Sequence, residues 1–270
     1  TGNVEILAGT YAHSLAALFN KDVFKKQVTE HKKLMKEVFG VTPKTFINTE
    51  LLYSNEIGAD VAEMGFNLMV TEGAKHVLGW KSPNYMYANN INPKLRLLLR
   101  NYRLSDDISL RFASDCLTTD NYVERLNEIK DGEVVNVCVD YDNFGYRYDD
   151  STGILNFMRY LPEAIFNNTD FEFAKPIEML DKLQTMSMFD APIPLSCMDE
   201  ERDLSAWMGN VLQDDALETL YSFANKVKRN KEEDVIRDWN ALQDANHFYS
   251  LCAKYSNVSP YDYYINYMNI

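Results

Sequence analysis

Two acidic residues, Glu50 and Asp140, lie where two predicted core strands end. Glu50 follows the β-branched run TFINT, and Asp140 follows the apolar run VVNVCV, which we interpret as a second buried strand. Because an unpaired charge is costly in a protein interior, we expect both carboxylates at an accessible edge. Two carboxyls that face one cleft can divide glycoside hydrolysis: one attacks the anomeric carbon, and the other protonates the leaving oxygen. Strand-end acids can equally cap helices or form salt bridges, and spacing alone leaves both interpretations open.

Other polar residues also fall near predicted strand ends. His13 could bond a substrate hydroxyl or tune a carboxylate, although a lone histidine is more often structural. Glu72 ends another apolar run. Asp106 and Asp107, followed by Arg111, could clamp sugar hydroxyls, or they could form a helix cap and a local ion pair.

Two tryptophans are candidate sugar-stacking residues. Trp80 lies with two tyrosines in the loop-like segment LGWKSPNYMY, where an aromatic face could stack on a sugar or fill a gap between elements. Trp207, in LSAWMGN, could face the site from a helix start or belong to the core.

Composition excludes several classes of function. The net charge of −13 argues against a nucleic-acid or anionic-membrane partner, because phosphate binding needs excess Lys and Arg. The motifs HxH, HxxxH, HExxH, CxxC and GxGxxG do not occur, so we expect no metal and no cofactor. There is no run of about 18 apolar residues and no signal peptide, and the four cysteines lie far apart, so we expect a cytoplasmic protein with reduced thiols.

The segments that carry these residues alternate between strands and helices. Strands are predicted within residues 3–14, 44–53, 66–74, 95–108 and 134–140, and helices over 21–40, 55–65 and 118–132. The strands are apolar runs, which favours parallel strands covered on both faces and hence an α/β sheet or barrel. In such folds catalytic groups gather at the carboxyl ends of the strands.

The last part of the chain has a different pattern. Residues 202–229, 231–255 and 259–270 show helical periodicity, with Pro260 at the first position of the last helix. We therefore predict a barrel domain over 1–195 and a C-terminal helical region over 196–270 packed on it.

Several collinear motifs resemble the α-amylase branch of glycoside hydrolase family 57. They are GNVEILAGTYAHSL, TFINTELLYSNEIG, MGFNLMVTEGA, LGWKSPNYMY, LLLRNYRLSDDISLRF, VNVCVDYDNFG, DEERDLSAWMGN and INYMN. The resemblance implies an incomplete (β/α)7 barrel with a C-terminal helical region, here apparently lacking the first strand. It also implies retaining hydrolysis or transfer on an α-1,4-glucan or maltooligosaccharide without a metal. Glu50 would be the nucleophile and Asp140 the general acid/base, with the residues discussed above lining the glucan cleft.

Departures from the family pattern leave alternatives open. The segment after Asp140 is altered: Asp142 stands where the motif has a glutamate, and it remains a candidate substrate-binding residue. Cys197 stands where a tryptophan is expected. A catalytically weak, amylase-like glucan-binding protein is therefore the alternative. A metal-dependent carbohydrate deacetylase is a third, which the shortage of paired histidines disfavours. The oligomeric state stays open.

Overall fold

A central five-stranded sheet organises the protein in a computed structural model that describes residues 2–230, 232–254 and 259–270. The strands are β1 (Thr45–Ile47), β2 (Leu68–Glu72), β3 (Met86–Asn89), β4 (Arg96–Arg100) and β5 (Thr185–Phe189), in the order β1-β2-β4-β3-β5. β1, β2 and β4 are parallel, as the apolar runs predict. This sheet, with helices around it, is the core of an α/β fold.

Strands β3 and β5 correct the all-parallel expectation. β3 pairs antiparallel with β4, and β5 is parallel to β3. The connection between β3 and β4 is only residues 90–95, too short for the crossover that a parallel pair requires. Asn89 closes this hairpin, because its Oδ1 accepts hydrogen bonds from the backbone N–H groups of Ile91 and Asn92.

The strands predicted within residues 3–14 and 134–140 each form only a single parallel β-bridge to the sheet. In the first, Ala8 bridges Phe46 of β1, and in the second, Asn136 bridges Arg100 of β4. The expectation that residues 134–140 form a buried strand is wrong, since Val137 is 38% exposed. The chain there touches the sheet at one point, so its apolar side chains are only partly covered.

Thirteen α-helices occur within the described residues. They are α1 (Ala16–Phe19), α2 (Lys21–Phe39), α3 (Asn55–Glu63), α4 (Lys75–Leu78), α5 (Tyr102–Ser109), α6 (Thr119–Asn127), α7 (Ile154–Asn168), α8 (Met179–Lys182), α9 (Val211–Ser222), α10 (Ala224–Arg229), α11 (Glu233–Leu242), α12 (Ala245–Tyr249) and α13 (Pro260–Met268). The predictions for α2 and α13 are confirmed: Gly40 ends α2 with φ 70°, and Pro260 begins α13.

The long C-terminal helices are shorter than predicted. The predicted 202–229 helix begins only at Val211, because the side chain of Asn210 caps the N–H groups of Leu212 and Gln213. The predicted 231–255 helix is divided into α11 and α12, and Asp244 caps the second of them. The part of the predicted helix that falls on Lys231 and Tyr255 lies outside the described residues.

One apolar core crosses the predicted boundary at residue 195. Phe46 and Leu97 belong to the same buried cluster as Trp207 and Phe248. Gln27 of α2 also donates a buried hydrogen bond to Gln243, 2.8 Å between Nε2 and Oε1. In the part of the chain that the structure describes, no helix is both long enough and apolar enough to span a membrane.

Candidate active site

Glu50 lies in a strained turn directly after β1. The short 3-10 turn Thr49–Leu51 places Glu50 at φ 47° and ψ 36°, and Leu51 follows at φ 53°. Consecutive left-handed residues other than glycine cost free energy and persist only where their surroundings hold them. The apolar run before Glu50 buries β1, whereas the turn brings the carboxylate to the edge of the sheet, where its side chain is 12% exposed.

Hydrogen bonds hold this turn through its carbonyl groups. The oxygen of Glu50 accepts from Ser196 Oγ at 3.0 Å and from Cys197 N at 2.9 Å. The oxygen of Leu51 accepts from Thr71 Oγ1 at 2.9 Å. These contacts come from a neighbouring strand and from the segment after β5, so tertiary structure rather than local propensity sets the direction of the Glu50 side chain.

His13 contacts one carboxylate oxygen of Glu50. Its Nε2 lies 3.2 Å from Glu50 Oε1, and its backbone oxygen accepts from Ala245 N at 2.9 Å. Burial lowers the pKa of His13, but the hydrogen bond and the charge of Glu50 outweigh it and raise that pKa overall. His13 is therefore suited to donate to an ionised Glu50.

Cys197 contacts the other carboxylate oxygen. Its Sγ lies 3.6 Å from Glu50 Oε2. Burial, followed by the negative charge of Glu50, raises the pKa of Cys197 well above that of an ordinary thiol. The thiol therefore stays protonated and can act as a weak donor to the carboxylate.

Asp140 belongs to the same electrostatic environment. Burial raises the pKa of Asp140, and the charge of Glu50 raises it further, whereas His13 lowers it. Its backbone oxygen accepts from Asn143 N at 3.2 Å and Nδ2 at 3.1 Å, which fixes the turn that follows. The charges of Glu50 and His13 both act on the Asp140 carboxyl, which is itself exposed. The three groups thus share one edge of the sheet, although β2 and β4 lie between the parallel segments that carry Glu50 and Asp140.

Glu72 and Asp106 lie beneath this edge rather than in the open. Glu72 is 0% and Asp106 3% exposed, and both are ion-paired with Arg100. Asp106 also pairs with Arg202. Burial lowers the pKa of Arg100, but the charges of Glu72 and Asp106 outweigh it and raise that pKa. Burial raises the pKa of Glu72, although the charge of Arg100 opposes this rise. Each carboxyl thus has an arginine partner inside the protein, which offsets part of the cost of burial.

Asp107, Arg111 and Trp80 line a separate cleft of about 650 Å³. Asp107 is buried and forms ion pairs with two arginines. Arg111 Nη2 lies 2.6 Å from its Oδ1, and Arg125 Nη1 lies 2.7 Å from its Oδ2. Trp80 is 87% exposed beside it. Since Asp107 is saturated by these arginines, we do not include it among the groups that contact a sugar.

The two remaining candidates differ in exposure. Trp207 is 1% exposed and packs in the main core, in agreement with the core interpretation left open above. Asp142 is exposed, close enough to Asp140 for its charge to raise the pKa of that carboxyl. Within residues 2–230, 232–254 and 259–270, no group of three or more His, Cys, Asp or Glu side chains is arranged to hold a metal.

Sequence reasoning missed three exposed tyrosines near these groups. Tyr141, directly after Asp140, is 92% exposed, and Tyr146 is 88% exposed. Tyr11 and His13 line a cavity of about 600 Å³ whose opposite wall is formed by α11. The abundance of tyrosine, 17 in the chain, was the available signal, but it does not identify which ones are exposed.

The chain is similar in sequence to known proteins. The sequence model described as "Glycosyl hydrolase family 57" matches residues 1–194. A "Putative alpha-amylase" of Methanocaldococcus jannaschii is 38% identical over 297 aligned positions, covering 100% of this chain and 63% of that protein. The chain therefore spans less than two thirds of the length of this relative.

Solved structures show the same fold at low sequence identity. A branching enzyme of Pyrococcus horikoshii matches with a TM-score of 0.76 and 11% identity, over 98% of this chain and 63% of that one. A branching enzyme of Thermococcus kodakaraensis matches with a TM-score of 0.73 and 12% identity, over 98% and 64%. The alpha-amylase AmyC of Thermotoga maritima matches with a TM-score of 0.61 and 11% identity, over 99% and 67%.

Proposed function

Because the chain belongs to glycosyl hydrolase family 57, we propose that it cleaves α-1,4-glucosidic bonds of an α-glucan or maltooligosaccharide with retention of configuration. The observation that carries this proposal is the placement of two carboxyls in one electrostatic environment. Glu50 is contacted by His13 at 3.2 Å, and the charge of Glu50 helps to raise the pKa of Asp140. The His13 contact suits Glu50 to attack in a fixed orientation, and the raised pKa suits Asp140 to donate a proton.

In the first step, Asp140 donates its proton to the glycosidic oxygen while Glu50 attacks the anomeric carbon. The bond to the leaving sugar breaks, and a glycosyl-enzyme ester forms on Glu50. His13 and Cys197 contact the two oxygens of Glu50, and they orient the attacking carboxylate.

In the second step, Asp140 becomes the base. Esterification removes the negative charge of Glu50, which is one cause of the raised pKa of Asp140. The pKa of Asp140 therefore falls in the intermediate, and the carboxylate can deprotonate a water or an acceptor sugar. Water gives hydrolysis, and a second sugar gives transfer.

Exposed aromatic residues support a saccharide ligand. Tyr141 follows Asp140 directly, and Tyr11 lines the same cavity as His13. Their rings, and the exposed ring of Tyr146 farther along the chain, can pack on the apolar faces of glucose units. Trp80 could extend this contact from the second cleft. The alternative is a glucan-binding protein with little turnover, which the altered residues Asp142 and Cys197 favour.

The test is incubation with a 5-fluoro-α-glycosyl fluoride, followed by intact-protein mass spectrometry and peptide mapping. We expect a glycosyl adduct on the Glu50 peptide and none in Glu50→Gln, with turnover lowered about 10⁴-fold or more in that variant. Wild-type protein that binds maltooligosaccharide in calorimetry but forms no adduct would overturn the proposal in favour of the binding protein.

A further inference from the structure

A single buried carboxylate joins two arginines beneath the proposed catalytic pair. Asp106, at 3% exposure, bonds Arg100 Nη2 through Oδ1 at 2.7 Å and Arg202 Nη2 through Oδ2. Each arginine is about 95% buried and continues to a different backbone carbonyl. The three side chains form a continuous chain of charge-assisted hydrogen bonds.

One end of this chain holds the segment that carries Asp140. Arg100 Nε donates to the backbone oxygen of Cys138 at 3.1 Å, and Cys138 lies two residues before Asp140. Cys138 N also donates to Ser105 Oγ at 3.1 Å, and Asn136 bonds Leu99 and Asn101, so Arg100 is one of several contacts that hold this segment. Among these hydrogen bonds, the one from Arg100 comes from a charged side chain.

The other end holds the segment that clamps Glu50. Arg202 Nη1 donates to the backbone oxygen of Cys197 at 2.9 Å. Cys197 in turn donates its N–H to the backbone oxygen of Glu50 and its thiol to Oε2.

We propose that Arg100, Asp106 and Arg202 form a bridge that sets the separation between Glu50 and Asp140, and that all three are positioning residues. This inference rests on the proposed function. A retaining pair needs its carboxyls about 5 Å apart, and an error of ~1 Å in a reacting group can cost ~100-fold in rate.

The neighbouring residue Asp107 provides a matched control. It lies on the same helix, is 6% exposed, and also joins two arginines, Arg111 and Arg125. Its arginines donate to neither catalytic segment, so Asp107→Asn removes a similar buried charge without releasing Glu50 or Asp140.

The experiment compares two rates in Asp106→Asn and Asp107→Asn at a temperature where both are folded. Trapping by the 5-fluoro-α-glycosyl fluoride needs Glu50, but its fluoride leaving group needs no proton, whereas cleavage of maltooligosaccharide needs both carboxyls. In Asp106→Asn we expect kcat on maltooligosaccharide to fall about 100-fold, trapping to fall less than about tenfold, and KM to change less than about threefold. In Asp107→Asn we expect any change to affect both rates by the same factor, so that their ratio stays that of wild type.

A second variant protects the test against misfolding. Arg100→Lys keeps the charge beside Glu72 and Asp106 but loses the Nε that donates to Cys138, so it releases the Asp140 segment alone and should show the same separation of the two rates. Equal losses of both rates in Asp106→Asn and Arg100→Lys, or equal behaviour of Asp106→Asn and Asp107→Asn, would overturn the bridge while wild-type trapping on Glu50 still upholds the proposed reaction. Absence of trapping in wild type would instead overturn the proposed function and this inference with it.

Discussion

At the scale of single residues, the site depends on the raised pKa of Asp140 beside Glu50. Burial and the charge of Glu50 both raise the pKa of Asp140. A group whose pKa is raised by folding contributes stability below its unfolded pKa, about 3.9, and that contribution is lost as pH rises through the folded pKa. The property that suits Asp140 to acid catalysis should therefore destabilise the fold at neutral pH.

Replacing Asp140 with a neutral isostere should raise stability at pH 7. We expect Asp140→Asn to melt slightly above wild type at pH 7, because Asp140 is exposed and water screens part of the effect. Near pH 3, where both side chains are neutral, we expect the two proteins to melt at the same temperature. Thermal melts followed by circular dichroism across this pH range would measure the difference.

Asp149 serves as a control because folding shifts its pKa in the opposite direction to that of Asp140. The hydrogen bond from Ser151 lowers the pKa of Asp149, so its contribution is present above the unfolded pKa and lost on acidification. Asp149→Ala should therefore melt at or below wild type at pH 7. An Asp140→Asn variant less stable than wild type at pH 7 would contradict the argument for Asp140.

At the scale of secondary-structure elements, buried ion pairs join β2, β4 and α5. Arg100 at the end of β4 pairs with Glu72 at the end of β2 and with Asp106 in α5. A buried charge that loses its partner is strongly destabilising, even where the intact pair contributes little net stability. The packing of β2, β4 and α5 against one another therefore depends strongly on Arg100.

Removing that arginine should destabilise the protein severely. We expect Arg100→Met to lower the free energy of unfolding by about 3–5 kcal/mol, because Glu72 and part of Asp106 are left buried and unpaired. Urea denaturation would measure it. Arg103 is exposed and lies in the first turn of α5. Arg103→Met should lower the free energy of unfolding by less than about 0.5 kcal/mol. A loss below about 1 kcal/mol in Arg100→Met would show that the carboxylates find other compensation.

At the scale of the whole molecule, the C-terminal helices contribute to the core and to the site. Phe46 of β1 and Phe248 of α12 share one buried cluster. Ala245 N holds the backbone of His13, and Gln243 bonds Gln27. The division at residue 195 therefore separates a part that contains strands and helices from a part that contains helices alone. Buried side chains from both parts nevertheless belong to one cluster.

This continuity predicts a single unfolding transition. Differential scanning calorimetry should give one peak whose calorimetric and van't Hoff enthalpies agree, because the largest buried cluster draws its residues from both parts. A chain ending at residue 195 should show no cooperative melt. Two separated peaks, or a cooperative melt of residues 1–195, would instead establish two independent folding units.

Much of this arrangement was predictable from local patterns, and the remainder depends on long-range contacts. The apolar runs before Glu50 and Glu72 identify β1 and β2, and the motifs identify Glu50 and Asp140 as candidates. Glu72 and Asp106 have the same local pattern as Glu50, yet they are buried because Arg100 lies between them. Nothing in the spacing of the acids indicates which of them will find an arginine.

Strand direction likewise depends on pairing rather than on residue type. Residues 86–89 lie beyond a Pro- and Asn-rich loop that hides their β character, and the hairpin closed by Asn89 reverses them. Residues 134–140 have strong strand propensity but meet the sheet at a single bridge. Propensity describes what a segment can form, and the neighbouring segments decide what it does form.

The reactivity of the Cys197 thiol can report how often the segment that contacts Glu50 opens. Its raised pKa keeps it protonated, and a protonated thiol that is only partly exposed reacts slowly with an alkylating agent unless the segment that covers it opens. Cys116 is exposed and reacts without opening, so it provides a reference rate in the same chain. The ratio of the two alkylation rates, corrected for thiolate fraction, therefore measures how often the clamp on Glu50 releases, and a bound saccharide that stabilises the closed clamp would lower that ratio.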